Sequence, residues 1–176
     1  MPTEVPKIII PAPFLKLVGL NEDVARKVFS ALWYPSWYQQ YAGYQEALAV
    51  ATPYNLMVLA AFTGNSWCSH CQALKSEVFD TKTFGHWAFV NSVVLVDIDF
   101  PYPVSQAAPE DTALMQQYNV IGFPSVLGLN ADGTERGRVV GYMSGTGPAN
   151  WIQQFEVATG LNTVSTFHLV HAKVAA

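Results

Sequence analysis

The chain has 176 residues, 51% of them hydrophobic and 12% charged, with a formal net charge of −4. That length fits one domain with an extension or one large domain, and the apolar content suffices for a sizeable core. The sparse, mildly acidic charge gives no basic footprint for nucleic acid, and with no run of about 18 apolar residues no transmembrane helix is expected.

The start, Met1 to Lys7, does not read as a signal peptide, because the short apolar run Ile8 to Ile10 is followed at once by Pro11 and Pro13. The expectation is a cytoplasmic protein, or a periplasmic or cell-envelope protein whose signal was removed ahead of this numbering. Residues 1–20 carry Pro2, Pro6, Pro11 and Pro13 and read as an extended segment lying against the domain. Asn21-Glu22-Asp23 is a helix start, a cap residue followed by acids, for a helix through Val24, Val28 and Leu32 that stops before Pro35. The Trp- and Tyr-rich stretch 33–44 reads as core and rim packing. A helix over Tyr44–Thr52 ends at Pro53, and Leu56–Phe62 is a strand buried on both faces.

That strand runs into Thr63-Gly64-Asn65-Ser66-Trp67-Cys68-Ser69-His70-Cys71, which holds the only two cysteines of the chain. The helical pattern that follows turns Leu74, Val78 and Phe79 inward. A C-x-x-C pair on the first turn of a helix is close enough to bridge. Cys68 meets the unpaired N–H groups and partial positive charge of the helix end. That field stabilises a thiolate, the reacting species in disulfide exchange. Strand, loop, C-x-x-C and helix therefore read as a dithiol redox site. With one pair and no cysteine left over, the chain is not a disulfide-stapled scaffold.

A short helix over Thr83–Phe89, with Phe84 and Trp87 inward, leads to a buried strand over Val93–Ile98. Phe100–Pro109 is loop and Asp111–Tyr118 a short helix. The strand Ser125–Leu129 follows Gly122-Phe123-Pro124, and Ala131-Asp132-Gly133 signals a hairpin into a return strand over Arg138–Tyr142. Pro148 opens a last helix, Ala149–Thr159, which ends at Gly160. The order β-α-β-α-β-β-α puts the cysteines at the C-terminal end of the first core strand, the usual edge for a site in an open α/β sheet.

Trp67-Cys68-Ser69-His70-Cys71 together with Gly122-Phe123-Pro124 resembles the thioredoxin superfamily. The finer pattern comprises Phe62-Thr63-Gly64-Asn65-Ser66-Trp67-Cys68, Leu74, Glu77-Val78-Phe79, Val94 to Pro101 and Gly141-Tyr142. It is similar to bacterial periplasmic thioredoxin-like disulfide oxidoreductases of the chlamydial DsbH group. The resemblance covers about residues 40–160. It implies an α/β thioredoxin fold, a central mixed β-sheet flanked by helices. Residues 1–40 would be a partly helical N-terminal extension, 41–160 the thioredoxin-like domain and 161–176 a C-terminal tail. It also implies a thiol–disulfide oxidoreductase acting on protein substrates, reduction being the favoured direction. No cofactor is expected, and electrons would come from, or go to, another dithiol protein.

Residue by residue, the resemblance makes Cys68 the attacking thiol and Cys71 the buried resolving thiol. Pro124 becomes a cis-proline beside the disulfide, and the Phe123 backbone an edge on which an extended substrate pairs. Trp67 would shield one side. By resemblance to C-x-H-C oxidoreductases, His70 would lie over Cys68 and stabilise its thiolate. A reduction potential on the order of −200 to −250 mV would follow. Thioredoxin carries a buried Asp on the strand before the motif, whereas Leu56–Phe62 contains no acid. Water or another group, Glu77 being a candidate, would then serve the resolving step. Asp97, Asp99 and His86 read as strand-end and surface residues.

Two other readings use the same residues. A copper or zinc carrier could employ Cys68, Cys71 and a His, but a closed zinc site needs four ligands. His86 has no second His at position 90, and His168 and His171 lie far down the chain. No metal ligand set is assigned. A non-catalytic binding module of the same fold is the other alternative, and the intact cysteine pair argues against it.

Overall fold

The computed structural model describes residues 36–161. The expected extended start, the helix from Asn21 and the His168/His171 pair lie outside the described residues.

Five strands form one mixed sheet in the order β1-β3-β2-β4-β5. β1 (Trp37–Gln39), β2 (Val58–Thr63) and β3 (Val94–Asp99) run parallel, while β4 (Ser125–Leu129) is antiparallel to β2 and to β5 (Glu135–Val140). Every residue of β2 is buried, as an apolar central strand with both faces covered must be. Its even-numbered side chains Val58, Ala60 and Phe62 pack with Val94, Val96 and Ile98 of β3. The cover on that face is α1 (Gln40–Ala51), through Tyr44 and Ala47, and α4 (Pro109–Gln117), through Leu114. Leu59 and Ala61 face the opposite layer of α2 (Ser69–Leu74), α3 (Lys82–Val90) and α5 (Gly147–Thr159). That layer is aromatic: Phe79 lies 4.9 Å from Phe84 and 5.3 Å from Trp151, ring centre to centre.

α2 continues from Leu74 into a widened π-helical turn, Lys75–Phe79, closed by a bond from Asp80 N–H to the Lys75 carbonyl at 2.8 Å. Leu74, Val78 and Phe79 are all buried, and so are Phe84 and Trp87 of α3. Thr81 caps α3 by accepting from Phe84 N–H.

The sheet starts earlier than the sequence suggests. Trp37–Gln39 lies in the stretch assigned to the extension, yet pairs in parallel with Leu95–Asp97. Three residues are too few for an alternation to show. Trp37 packs on Phe79 at 4.8 Å, which is the core packing expected of this aromatic stretch. The return strand covers Glu135–Val140 rather than 138–142, and Gly141 leaves it with φ 78°. Inside the segment expected to be loop, Val104–Gln106 forms a 3-10 turn and Pro109 already opens α4.

Candidate active site

β2 delivers the site. At its end Thr63 enters a turn in which the Gly64 carbonyl accepts from Trp67 N–H at 3.0 Å and Cys68 N–H at 2.7 Å. Cys68 is then extended (φ −89°, ψ 107°) and caps α2, its Sγ accepting from Cys71 N–H at 3.2 Å. Cys68 and Cys71 form a disulfide with their Cα atoms 5.2 Å apart, within the ordinary span for such a bridge. Cys68 is 7% exposed and Cys71 1%, so a partner sulfur reaches Cys68 first.

Trp67 is held beside the pair by its ring N–H, which donates to the Phe100 carbonyl at 2.8 Å. Its ring meets Phe123 edge-on at 5.8 Å and Tyr102 at 5.4 Å. A Cβ on Gly64 would lie 2.5 Å from the Trp67 ring, so only glycine lets the indole fold back over the turn. Phe62 pairs with Ser125, which sets Pro124 alongside Thr63 at the mouth of the β2–α2 turn. The Phe123–Pro124 and Tyr102–Pro103 peptide bonds are cis. The Pro124 carbonyl accepts from Gly141 N–H at 2.8 Å.

Nδ1 of His70 lies 3.0 Å from the Tyr142 carbonyl. A carbonyl only accepts, so Nδ1 carries a hydrogen and donates it to Tyr142. Tyr142, whose side chain carries no chemical signal in the sequence, ties the β5–α5 segment to α2. Its hydroxyl donates to Glu77 at 2.7 Å, and Glu77 also accepts from Gly145 N–H at 2.7 Å. These two bonds hold the Glu77 carboxyl below its ordinary pKa. A carboxylate stabilised in this way is a poor proton acceptor, so Glu77 is a brace for the 142–147 segment rather than a base for Cys71.

The missed residues are the two acids of β3. Asp97 pairs in register with Ala61, so a partly buried acid lies on the strand next to β2. Its two oxygens accept from Thr63 Oγ1 at 2.6 Å and Asn65 Nδ2 at 2.8 Å. Burial pushes its pKa up to about 6, against the lowering effect of those two bonds. Asp99 accepts from Asn65 N–H at 2.7 Å. The signal was an acid interrupting a buried strand on the face shared with Leu95. His86 is exposed on α3. Among the described residues, no three His, Cys, Asp or Glu side chains gather in a metal-binding group.

A dithiol–disulfide pair capping a helix at the end of a central strand, in a mixed sheet with helices on both faces, defines a protein of the thiol–disulfide oxidoreductase type. The chain matches the thioredoxin-like domain family over residues 44–156 and belongs to it. It is 29% identical over 113 residues to the disulfide bond reductase DsbH of Chlamydia pneumoniae, covering 62% of this chain and 67% of that protein. It is 30% identical over 79 residues to the thiol:disulfide interchange protein DsbD of Klebsiella pneumoniae, covering 44% of this chain but only 12% of that longer protein. Among solved structures, a DsbH oxidoreductase superposes with a TM-score of 0.62 at 26% identity, over 74% of this chain and 88% of the other. The oxidised C-terminal domain of Neisseria meningitidis DsbD superposes with a TM-score of 0.54 at 19% identity, over 70% and 99%, and shows likeness of fold alone.

Proposed function

We propose that the protein exchanges disulfides with protein substrates and works mainly as a reductase. The observation that carries this reading is the Cys68–Cys71 pair capping α2 with the more accessible sulfur first. Similarity to a protein named a disulfide bond reductase supports the direction. In that direction the Cys68 thiolate attacks a substrate disulfide. A mixed Cys68–substrate disulfide forms and one substrate thiolate leaves. Cys71, as thiolate, then attacks Cys68 Sγ, closing the enzyme disulfide and releasing the second substrate thiolate. Two electrons pass from the enzyme dithiol to the substrate, and two protons complete its thiols. A second dithiol protein re-reduces the pair, with no bound cofactor.

Trp67 and Phe123 form the wall against which substrate lies, and the backbone beside Pro124 offers it an extended edge. His70, on the first turn of α2, tunes the Cys68 thiolate through its imidazole. The cell envelope is the compartment that suits this activity. Among the described residues no helix is long and apolar enough to cross a membrane.

Reduced wild type, regenerated by a small dithiol, is expected to reduce insulin disulfides catalytically. Cys68→Ser should abolish turnover, and Cys71→Ser should accumulate a covalent adduct with substrate. An adduct that forms on Cys68→Ser and not on Cys71→Ser would reverse the two roles.

A further inference from the structure

Thr63, Asn65 and Asp97 close a ring of side chains around Gly64. Thr63 Oγ1 donates to Asp97 Oδ1 at 2.6 Å and accepts from Asn65 Nδ2 at 3.1 Å, and the same Nδ2 donates to Asp97 Oδ2 at 2.8 Å. Gly64 lies between the two clamped residues, and its carbonyl holds Cys68 N–H at 2.7 Å. On the far side the Asn65 carbonyl accepts from Gln72 Nε2 of α2 at 2.9 Å. The turn is thus fixed from β3 and α2 at once, and the Cys68 backbone hangs from its middle.

We propose that Asp97 is a positioning residue of the redox pair: by clamping Thr63 and Asn65 it sets the turn that places Cys68 Sγ on Cys71 N–H, and so helps set the pair's reduction potential. This rests on the redox reading only in needing the pair to be reversibly reduced.

With Asp97 ionised, both of its oxygens accept in the ring, one from the Thr63 hydroxyl and one from the Asn65 amide. Protonation of Asp97 replaces two charge-assisted bonds by neutral ones, the Thr63 hydroxyl turning to accept, and so loosens the clamp. Its carboxyl faces a cavity of about 180 Å³ beside α2, lined by Trp37, Gln39 and Phe79 among others. The charged groups facing it are Lys75 and Asp80 across that cavity, bonded to each other at 2.7 Å, and Asp99 on its own strand. Lys75 favours the carboxylate; burial and Asp99 oppose it. The clamp therefore weakens as pH falls through about 6.

The test equilibrates wild type, Asp97→Asn and Asn65→Ala with glutathione across the pH range, and follows the thiolate absorbance of Cys68. Near-ultraviolet circular dichroism checks that each variant is folded. Asn65→Ala opens the clamp without changing any charge. Both variants are expected to move the equilibrium toward the disulfide by roughly 3- to 10-fold, within the range one hydrogen bond contributes, and to raise the pH at which Cys68 ionises. Wild type should show a break in its potential–pH plot near 6, absent from Asp97→Asn. An unchanged Asn65→Ala overturns the proposal, as does an Asp97→Asn that moves toward the dithiol, the signature of charge repulsion alone. If Asp97→Asn does not fold, Asn65→Ala decides. A wild type that equilibrates with glutathione but reduces no protein disulfide would sink the proposed function and leave this inference standing.

Discussion

The Tyr142 carbonyl accepts from Nδ1 of His70, while the Tyr142 hydroxyl donates to Glu77, so one residue of the β5–α5 segment grips both α2 and the π-helical turn that follows it. The same hydroxyl accepts from Gly147 N–H at 3.1 Å at the start of α5. Tyr142→Phe keeps the carbonyl and loses the hydroxyl. The Gly147 amide should exchange faster with deuterium by up to about tenfold, since one such bond contributes about 0.5–1.5 kcal/mol net. An unchanged Gly147 rate would show that the segment is held by its backbone alone.

Glu77 makes a prediction with a defined sign. Its folded pKa is depressed, first by the Tyr142 hydroxyl and then by Gly145 N–H. A depressed carboxyl contributes stability above its unfolded pKa, and that stability is lost as pH falls through the folded value. Urea unfolding of wild type and Glu77→Gln should therefore differ at neutral pH, and the difference should close in acid. Profiles that stay parallel into acid would contradict the brace.

Asp97 has the opposite sign. Its folded pKa of about 6 stands above the ordinary 3.8. The folded state then holds a proton that the unfolded chain has released, so stability falls as pH rises between those values. At about 1.4 kcal/mol per pH unit, wild type should lose about 2–3 kcal/mol relative to Asp97→Asn between pH 4 and pH 7, with the disulfide intact. Urea unfolding at several pH values measures this, and a constant difference would place Asp97 in a water-like environment.

Gly64→Ala tests the fit of Trp67. The added methyl would sit 2.5 Å from the indole and push it off the turn. Overpacking of this kind costs about 1–3 kcal/mol. Loss of the bond to the Phe100 carbonyl should also change the Trp67 fluorescence and slow exchange with protein disulfides. A variant as stable and as fast as wild type would show that the indole has room to move.

Most of the frame was legible because its signals are local. Ser125–Leu129 is a strand with the bounds expected from its apolar run between Pro124 and the hairpin. The C-x-x-C pair, the inward Leu74 and Val78, and the helix stop at Gly160 (φ 65°) all follow from spacing and residue type. What was not legible depends on neighbours in space. Asp97 and Asp99 meet Asn65 only because β3 runs parallel to β2 in a register that sets Asp99 opposite Thr63. Glu77 meets Tyr142 and Gly145 only because the β5–α5 segment folds back against the turn that follows α2. β5 was misplaced because Glu135 and Arg136 are exposed on an edge strand, where the apolar pattern fades.

The two edges of the sheet bear on how the protein behaves when concentrated. One described edge is β1, three residues long, and the other is β5, which carries Glu135, Arg136 and Arg138. A charged edge repels a flat apolar strand. The charged β5 edge therefore discourages sheet-to-sheet polymerisation of the concentrated protein.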